Sequence, residues 1–393
     1  MQTIIMPKKD TKSSTIENSI FNSFSDKEYE INGISLFSNV GIDKTYFKNY
    51  GLNICVANEL IENRCKFYKH LYPDCEVVHG DICDNNIFNE LLNLYENNKC
   101  EFLIATPPCQ GMSQAGKMDE NDPRNYLIIK VIEFIKKTLP NNIIIENVPM
   151  ILKFSINVAG KIIKIVDYIE KELAPLGYFI NYKILDACDY ETPQHRKRAI
   201  FLISRLDFWE FPEKKEHCTV REIIGDLPSL ESEEKSNIKY HMAKKHNDNH
   251  IIWMKHTPTG KTALNNKKHF PEKDGRLIKG YQTTYKRIEW DKPAPAITMC
   301  NGSVSSQNNV HPGRKLEDGT YSDARVLTIL ELLRLTGLPD DWNIPNWASE
   351  NFVRQVIGEA FPPKFAVNLL KTMPSNLKRR NINDKQVSLA SSG

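Results

Sequence analysis

No two cysteines in this 393-residue chain are spaced as C-x-x-C, no apolar run approaches the length of a membrane span, and no segment repeats another. The nine cysteines are odd in number and scattered, which excludes a disulfide framework and a zinc knuckle. A reducing compartment fits them, and no metal site is expected. The second absence removes a membrane-spanning role. The first 28 residues also lack the apolar centre of an export signal, so a cytoplasmic protein is expected. The third removes solenoids and propellers. Net charge is scarce as well: +3 overall, with a sequence pI near 8.2, does not by itself announce a polyanionic partner.

What is present is alternation. Short apolar runs at residues 34–37, 54–57, 77–78, 102–105, 143–145 and 200–203 are separated by helix-like stretches at 59–72, 85–95, 126–139 and 158–176. Strands alternating with helices predict βαβ units and an α/β, doubly wound, mostly parallel sheet covered on both faces. We divide the chain into a flexible N-terminal extension (1–30), a large domain (31–206), a smaller irregular domain (207–345), a C-terminal helix returning to the large domain (346–374) and a polar tail (375–393). A short amphipathic helix is possible at 16–24. The smaller domain interleaves Lys244, Lys245, Arg287 and other basic residues with Tyr240, Trp253, Tyr281, Tyr285 and Trp290, a pattern suited to phosphate contacts and base reading. Its His241, His246 and His250 lack a matching cysteine or carboxylate pattern and are expected to be solvated. Thr328 and Glu331 form a capping box that opens a helix ending at Gly337, and Pro363 suits the first turn of a helix through Leu370.

Four stretches carry chemistry. The run Phe102-Leu103-Ile104 leads into Ala105-Thr106-Pro107-Pro108-Cys109-Gln110-Gly111, where two prolines stop the ladder and present a thiol at a strand's C-terminal edge. In open α/β sheets that edge is where ligands bind, and a thiol there can act as a nucleophile. Ser35 to Gly41 reads as a strand running into a turn, followed after the next strand by Glu59. A close-approach turn plus an acid at the neighbouring strand end is a nucleoside-binding pattern, and Asp81 could accept from an adenine amino group. Ile145-Glu146-Asn147-Val148 places a carboxyl on the same sheet edge as Cys109. Gln194-His195-Arg196-Lys197-Arg198 puts Arg196 and Arg198 on one face by strand period two.

With these blocks in this order, the sequence resembles the C5-cytosine DNA methyltransferases of bacterial restriction-modification systems, over about 34–205 and 285–370. The resemblance implies a class I fold dependent on S-adenosyl-L-methionine (AdoMet), double-stranded DNA as substrate and a flipped-out target base. It makes the smaller domain a target-recognition domain. Cys109 becomes the nucleophile that attacks cytosine C6, Glu146 the group at N3 and the exocyclic amine, Arg198 the contact to O2, and Arg196 the residue ordering the carboxylate side of the pocket. Phe37, Ser38, Asn39, Val40, Gly41, Glu59, Leu60, Asp81, Ile82, Pro108, Leu127, Glu359 and Ala360 would contact the cofactor. Residues 110–125 would form the loop closing over DNA, with Gln110 and Ser113 touching it alongside Lys244, Lys245 and Arg287. A monomer is expected, paired with a cognate restriction endonuclease and associated with the bacterial nucleoid.

The chain departs from the family pattern in two places. Phe37 to Ile42 retains only the middle of three glycines. Asn39 tolerates left-handed φ, but Ile42 would not. Glu359 stands where an amide is usual and could repel the carboxylate of AdoMet, bind its ammonium or point away. Two alternatives follow: a tRNA-methylating member of the family, which the long insert at 208–322 disfavours, and a catalytically weak DNA-binding regulatory homologue. An N-methylating enzyme would carry an Asp/Asn-Pro-Pro-aromatic motif where Thr106-Pro107-Pro108-Cys109 stands.

Overall fold

The computed structural model describes residues 31–108 and 123–375. Seven strands form one sheet: β1 (Ile31–Leu36), β2 (Leu52–Glu59), β3 (Glu76–His79), β4 (Phe102–Ala105), β5 (Asn142–Asn147), β8 (Phe179–Asp186) and β9 (Lys197–Ser204). Their spatial order is β3-β2-β1-β4-β5-β9-β8. The first five are parallel, whereas β9 runs antiparallel to both β5 and β8. A separate hairpin of β6 (Ser155–Val158) and β7 (Lys161–Lys164) and a two-residue pair, β10 (Glu272–Lys273) with β11 (Arg276–Leu277), lie outside this sheet.

The central strands are buried on both faces because their apolar runs are unbroken. In β4, β5 and β9, Leu103, Ile143, Ile145, Phe201 and Ile203 pack on one side. They meet α2 (Asn85–Asn97), α3 (Leu127–Thr138) and α4 (Ile165–Leu173). Phe102, Ile104, Ile144, Ile200 and Leu202 pack on the other, against Phe47, Trp209 and α9 (Pro363–Leu370). α1 (Glu62–Leu71) flanks β2 and β3.

Several sequence expectations change. The helix expected at 158–176 begins only at Ile165, because Lys161–Lys164 pairs with Ser155–Val158 instead. Strand β8 was not anticipated: its Phe179, Tyr182 and Ile184 are exposed at the sheet edge, so it shows no buried apolar run. Within 346–374 there are two helices, α8 (Glu350–Glu359) and α9, and only α9 lies on the sheet. The large unit also extends past 206, since Trp209 is fully buried on the sheet and donates its indole N–H to the Leu369 carbonyl. The extension 1–30, with its expected short helix, and the tail from 376 lie outside the described residues.

The rest of the chain packs through two further clusters. One joins α5 (Val220–Ile224), α7 (Ile329–Thr336) and α8 to Val40, Ile42 and Phe67 of the large unit. The other gathers Trp253 and Met254 of α6 (Asp248–Lys255) with Ala263, Val304, Val310, Ala324 and Val326. α7 opens with the expected capping box: Thr328 Oγ1 accepts from the Glu331 amide at 3.2 Å, and Glu331 Oε2 accepts from the Thr328 amide at 2.7 Å. Glu331 is also fully buried and takes a bidentate pair from Arg325 at 2.8 and 2.9 Å.

His241 and His246 join this interior rather than standing in solvent. His241 Nδ1 lies 2.9 Å from Ser236 Oγ, and His246 Nε2 accepts from the Val326 amide at 3.1 Å. His250 is half-buried against Trp253 and Tyr285.

Candidate active site

The sheet order puts a switch point between β1 and β4, where chain direction around the sheet reverses and a crevice opens. Every turn expected to touch a ligand leaves a strand at this edge: Phe37 to Gly41 after β1, Leu60 after β2, Asp81 after β3, Pro108 after β4, and Glu146 at the end of β5.

The first turn is shaped by its backbone. Phe37, Asn39 and Gly41 have φ of 60°, 48° and 73°. A Cβ on Gly41 would lie 2.7 Å from the Tyr68 ring and 2.8 Å from the Tyr72 ring, so no larger residue fits without movement. Ile42 has φ −63° and ψ −40°, an ordinary right-handed conformation, and its side chain is buried. The third family glycine is therefore not required here, and that expected conflict does not arise.

Glu59 braces the turn. One carboxylate oxygen accepts from the Asn39 amide at 2.9 Å and the other from the Ile61 amide at 3.0 Å, while burial pushes its carboxyl upward. The Asn39 side-chain amide donates to the Val356 carbonyl at 3.0 Å, drawing α8 onto the turn. Ser38 Oγ donates to the Ser35 carbonyl, and Val40 and Ile82 are buried. Asp81 accepts from the Cys83 amide at 2.9 Å in an exposed turn, and Leu60 is 60% exposed beside it. Phe37 and Leu127 are partly buried against one common core.

Glu359 is not left to repel an anion: Arg64 of α1 forms an ion pair with it, and Gln355 donates to its other oxygen at 3.2 Å. Ala360 is buried next to it. Sequence reading missed Arg64, which lies 295 positions from its partner and has no local signal. Gly358 allows α8 to approach residue 298, where a Cβ would stand 2.2 Å from the Thr298 carbonyl oxygen.

On the β4–β5 side, Asn147 donates its side-chain amide to the Pro107 carbonyl at 3.0 Å, and Thr106 donates its hydroxyl to the Phe37 carbonyl at 2.9 Å. These two bonds hold the double-proline turn between β1 and β5. Asn147 was part of the Glu-Asn-Val block but had no assigned role; an amide at a strand end that could bond backbone was the available signal. Cys109, Gln110 and Ser113 lie outside the described residues.

Glu146 pairs in register with Ile200, so Arg198, two residues earlier on β9, stands diagonally across the same face. Arg198 Nε lies 2.5 Å from Glu146 Oε1. Arg196 is buried and donates to the Ile297 carbonyl at 3.0 Å. Its Nε is buried without a partner among the described residues. Burial, with the Arg198 charge alongside, pulls Arg196 down to about 9. Gln194 donates to the Leu335 carbonyl at 3.0 Å and accepts from the Ile297 amide at 3.3 Å, locking this segment to α7.

Residues 31–375 match the profile of the C-5 cytosine-specific DNA methylases. The chain belongs to that family. It is a DNA cytosine-5-methyltransferase, and family and fold together imply AdoMet as methyl donor. It is 50% identical over 348 residues to the Type II methyltransferase M1.HgaI of Avibacterium volantium, covering 87% of this chain and 97% of that one. It is 31% identical over 340 residues to the Type II methyltransferase M1.HphI of Haemophilus parahaemolyticus, covering 85% and 84%. Among solved structures it is similar to the Entamoeba histolytica methyltransferase EhMeth, with TM-score 0.59, 16% identity, and 88% and 98% coverage. The described part of the methyltransferase has no helix long and apolar enough to cross a membrane.

The residues expected to touch DNA separate sharply. Lys245 is exposed and paired with Glu233 at 3.1 Å, and Lys244 reaches Asn351 at 2.8 Å beside a cavity of about 300 Å³. Arg287 is not available. It is fully buried and donates to the carbonyls of Met254, His311 and Asp323, a bracket for the smaller unit rather than a phosphate contact. Trp290 is likewise buried, with its indole N–H on the Gly313 carbonyl, whereas Tyr281 is 77% exposed.

Proposed function

We propose that the methyltransferase modifies C5 of a cytosine flipped out of a specific duplex sequence, through a covalent bond between Cys109 and C6, as the protective member of a Type II restriction-modification pair. The observation that carries the mechanism is the Glu146–Arg198 pair, presented on one face at the strand edge next to the Pro107-Pro108 turn.

Cytosine C5 is a poor nucleophile until C6 carries a thiolate and N3 a proton. In the proposed cycle Cys109 adds to C6 and the electron pair of the C5–C6 bond moves toward N3, where Glu146 supplies the proton. Arg198 holds the Glu146 side chain and reaches the O2 edge, and Arg196 fixes the segment at Ile297 behind them. AdoMet supplies an electrophilic methyl group to the activated C5. Loss of the C5 proton to solvent, departure of the Cys109 thiolate and return of the N3 proton to Glu146 restore the ring and the enzyme.

The cofactor fits the first crevice. Gly41 holds the turn at φ 73° tight against Tyr68 and Tyr72, Asn39 Oδ1 is buried and free among the described residues, and Arg64 neutralises Glu359. Phe37 to Gly41, Glu59, Leu60, Asp81, Ile82, Pro108, Leu127, Glu359 and Ala360 are the residues we assign to hold it. The basic exposed stretch with Lys267, Lys268, Lys273, Arg276, Lys279 and Tyr281 is the surface we assign to DNA, together with Lys244, Lys245 and the loop containing Gln110 and Ser113.

Tritium transfer from labelled AdoMet to unmethylated DNA, followed by bisulfite sequencing, tests the reading. Label at cytosines of one short motif is expected. Cys109→Ser should abolish transfer while DNA binding persists, and Glu146→Gln should slow it at least about a hundredfold. Retained transfer in Cys109→Ser would overturn the covalent route.

A further inference from the structure

At the same sheet edge as Glu146 but beyond β9, where β8 turns back into β9, four potential metal ligands crowd around one sulfur. Asp186 ends β8, Cys188 and Asp189 form the single turn that follows, His195 precedes β9, and His217 lies in the segment entering α5. Asp186, Cys188 and His195 have ligand atoms within 4.8 Å of one another, and so do Cys188, Asp189 and His217. Cys188 is 1% exposed, while both imidazoles are nearly half open to solvent.

The geometry is not that of a proton relay. A thiol–imidazole–carboxylate relay uses opposite ring nitrogens, because one nitrogen carries a single proton or a single lone pair. Here His195 Nδ1 lies 3.0 Å from Asp186 Oδ2 and 3.2 Å from Cys188 Sγ. The pattern repeats at His217, whose Nε2 is 2.8 Å from Asp189 Oδ1 and 3.7 Å from the same sulfur. Donor atoms that converge on each other rather than forming a chain are arranged to share a cation. Zinc bond lengths of about 2.3 Å to sulfur and about 2.0 Å to nitrogen or oxygen give tetrahedral edges of roughly 3.6 and 3.3 Å, close to these spacings.

We propose that Cys188 Sγ, His195 Nδ1 and Asp186 Oδ2 hold one zinc-class divalent cation, with His217 beside the sulfur as the fourth donor. A thiolate with imidazole and a single carboxylate selects zinc over magnesium or calcium. The incoming cation displaces the Cys188 proton to solvent. The second carboxylate oxygen of Asp186 accepts from the Arg196 amide at 2.7 Å, which orients the ligand and couples the site to the strand carrying Arg196 and Arg198. Through His217 the cation would also pin the crossover into the smaller unit, where Lys214 and the Lys215 amide already bind Asp189. Ligands at 186, 188, 195 and 217 follow no knuckle spacing, which is why the sequence gives no metal signal.

Full-length protein stripped by chelator and titrated with cobalt(II) tests this. One equivalent should bind with a thiolate-to-cobalt charge-transfer band that Cys188→Ser removes. His195→Ala and Asp186→Asn should each weaken binding at least about tenfold. His195 is exposed enough that its variant should fold even if Cys188→Ser does not. Absence of the band at saturating cobalt, its survival in Cys188→Ser, or unchanged affinity in His195→Ala would each overturn the proposal.

Discussion

The side-chain amide of Asn147 donates to the carbonyl of Pro107 across 3.0 Å, while its Oδ1 accepts from the Val148 amide at 2.9 Å. One buried side chain thus ties the end of β5, next to Glu146, to the turn that leads into Cys109.

Removing that tie should misplace the nucleophile without emptying the site. Asn147→Ala is expected to lower the single-turnover methylation rate about 10–100-fold, with AdoMet and DNA affinities within about threefold of wild type. Single-turnover kinetics alongside equilibrium binding would check it. Equal loss in rate and affinity would mean that Asn147 acts through general packing.

Arg64 and Glu359 make a second prediction. Arg64→Ala leaves a partly buried carboxylate facing the cofactor crevice and should raise the AdoMet dissociation constant about tenfold. In the double variant with Glu359→Gln much of that loss should return. Calorimetric titration of the three variants gives the coupling, and additive losses would separate the pair from cofactor binding.

Gly41→Ala tests the first turn. A residue with a Cβ at φ 73° pays for the left-handed conformation and meets the rings of the buried Tyr68 and the half-buried Tyr72. A loss of about 2–4 kcal/mol is expected from strain and overpacking combined. Denaturant unfolding would measure it, and weaker AdoMet binding should accompany it.

Acid should loosen the smaller unit first. Burial holds His246 down to about 4 and His311 down to about 3, both below the ordinary histidine value. Their unfolded forms take up protons first as pH falls below about 6.5, so stability present at neutral pH is lost on acidification through that window. Each group adds a slope of up to about 1.4 kcal/mol per pH unit. Asp43, pushed up to about 6 by burial, acts oppositely: its contribution is complete below about pH 4 and disappears as pH rises through 6. Unfolding curves between pH 4.5 and 7 should show a net fall toward acid, shallower in His246→Gln.

The parallel strands were legible because burial on both faces writes itself as unbroken apolar runs, such as Phe102 to Ala105 and Ile143 to Ile145. The Thr328–Glu331 cap was legible because its partners are three residues apart. Strand β8 escaped because an edge strand leaves Phe179, Tyr182 and Ile184 exposed and shows no run to read. Arg287 misled because charge predicts a surface only until backbone carbonyls satisfy it inside; its guanidinium makes four bonds, to the carbonyls of Met254, His311 and Asp323. The same holds for His241 and His246. The placement of Glu146 on the β5 edge and of Arg198 on one face of β9 was legible from strand position, whereas Arg64 needed the three-dimensional fold to meet Glu359.

The sheet face built on Phe47, Leu52 and Ile144 is sealed by α9, and the Asn142 amide reaches forward to the Pro374 carbonyl. Strands made early in synthesis therefore wait for the last helix before their second side is covered. A nascent chain would hold that apolar face open until residue 374 has emerged from the ribosome, so the native sheet is completed only after that point.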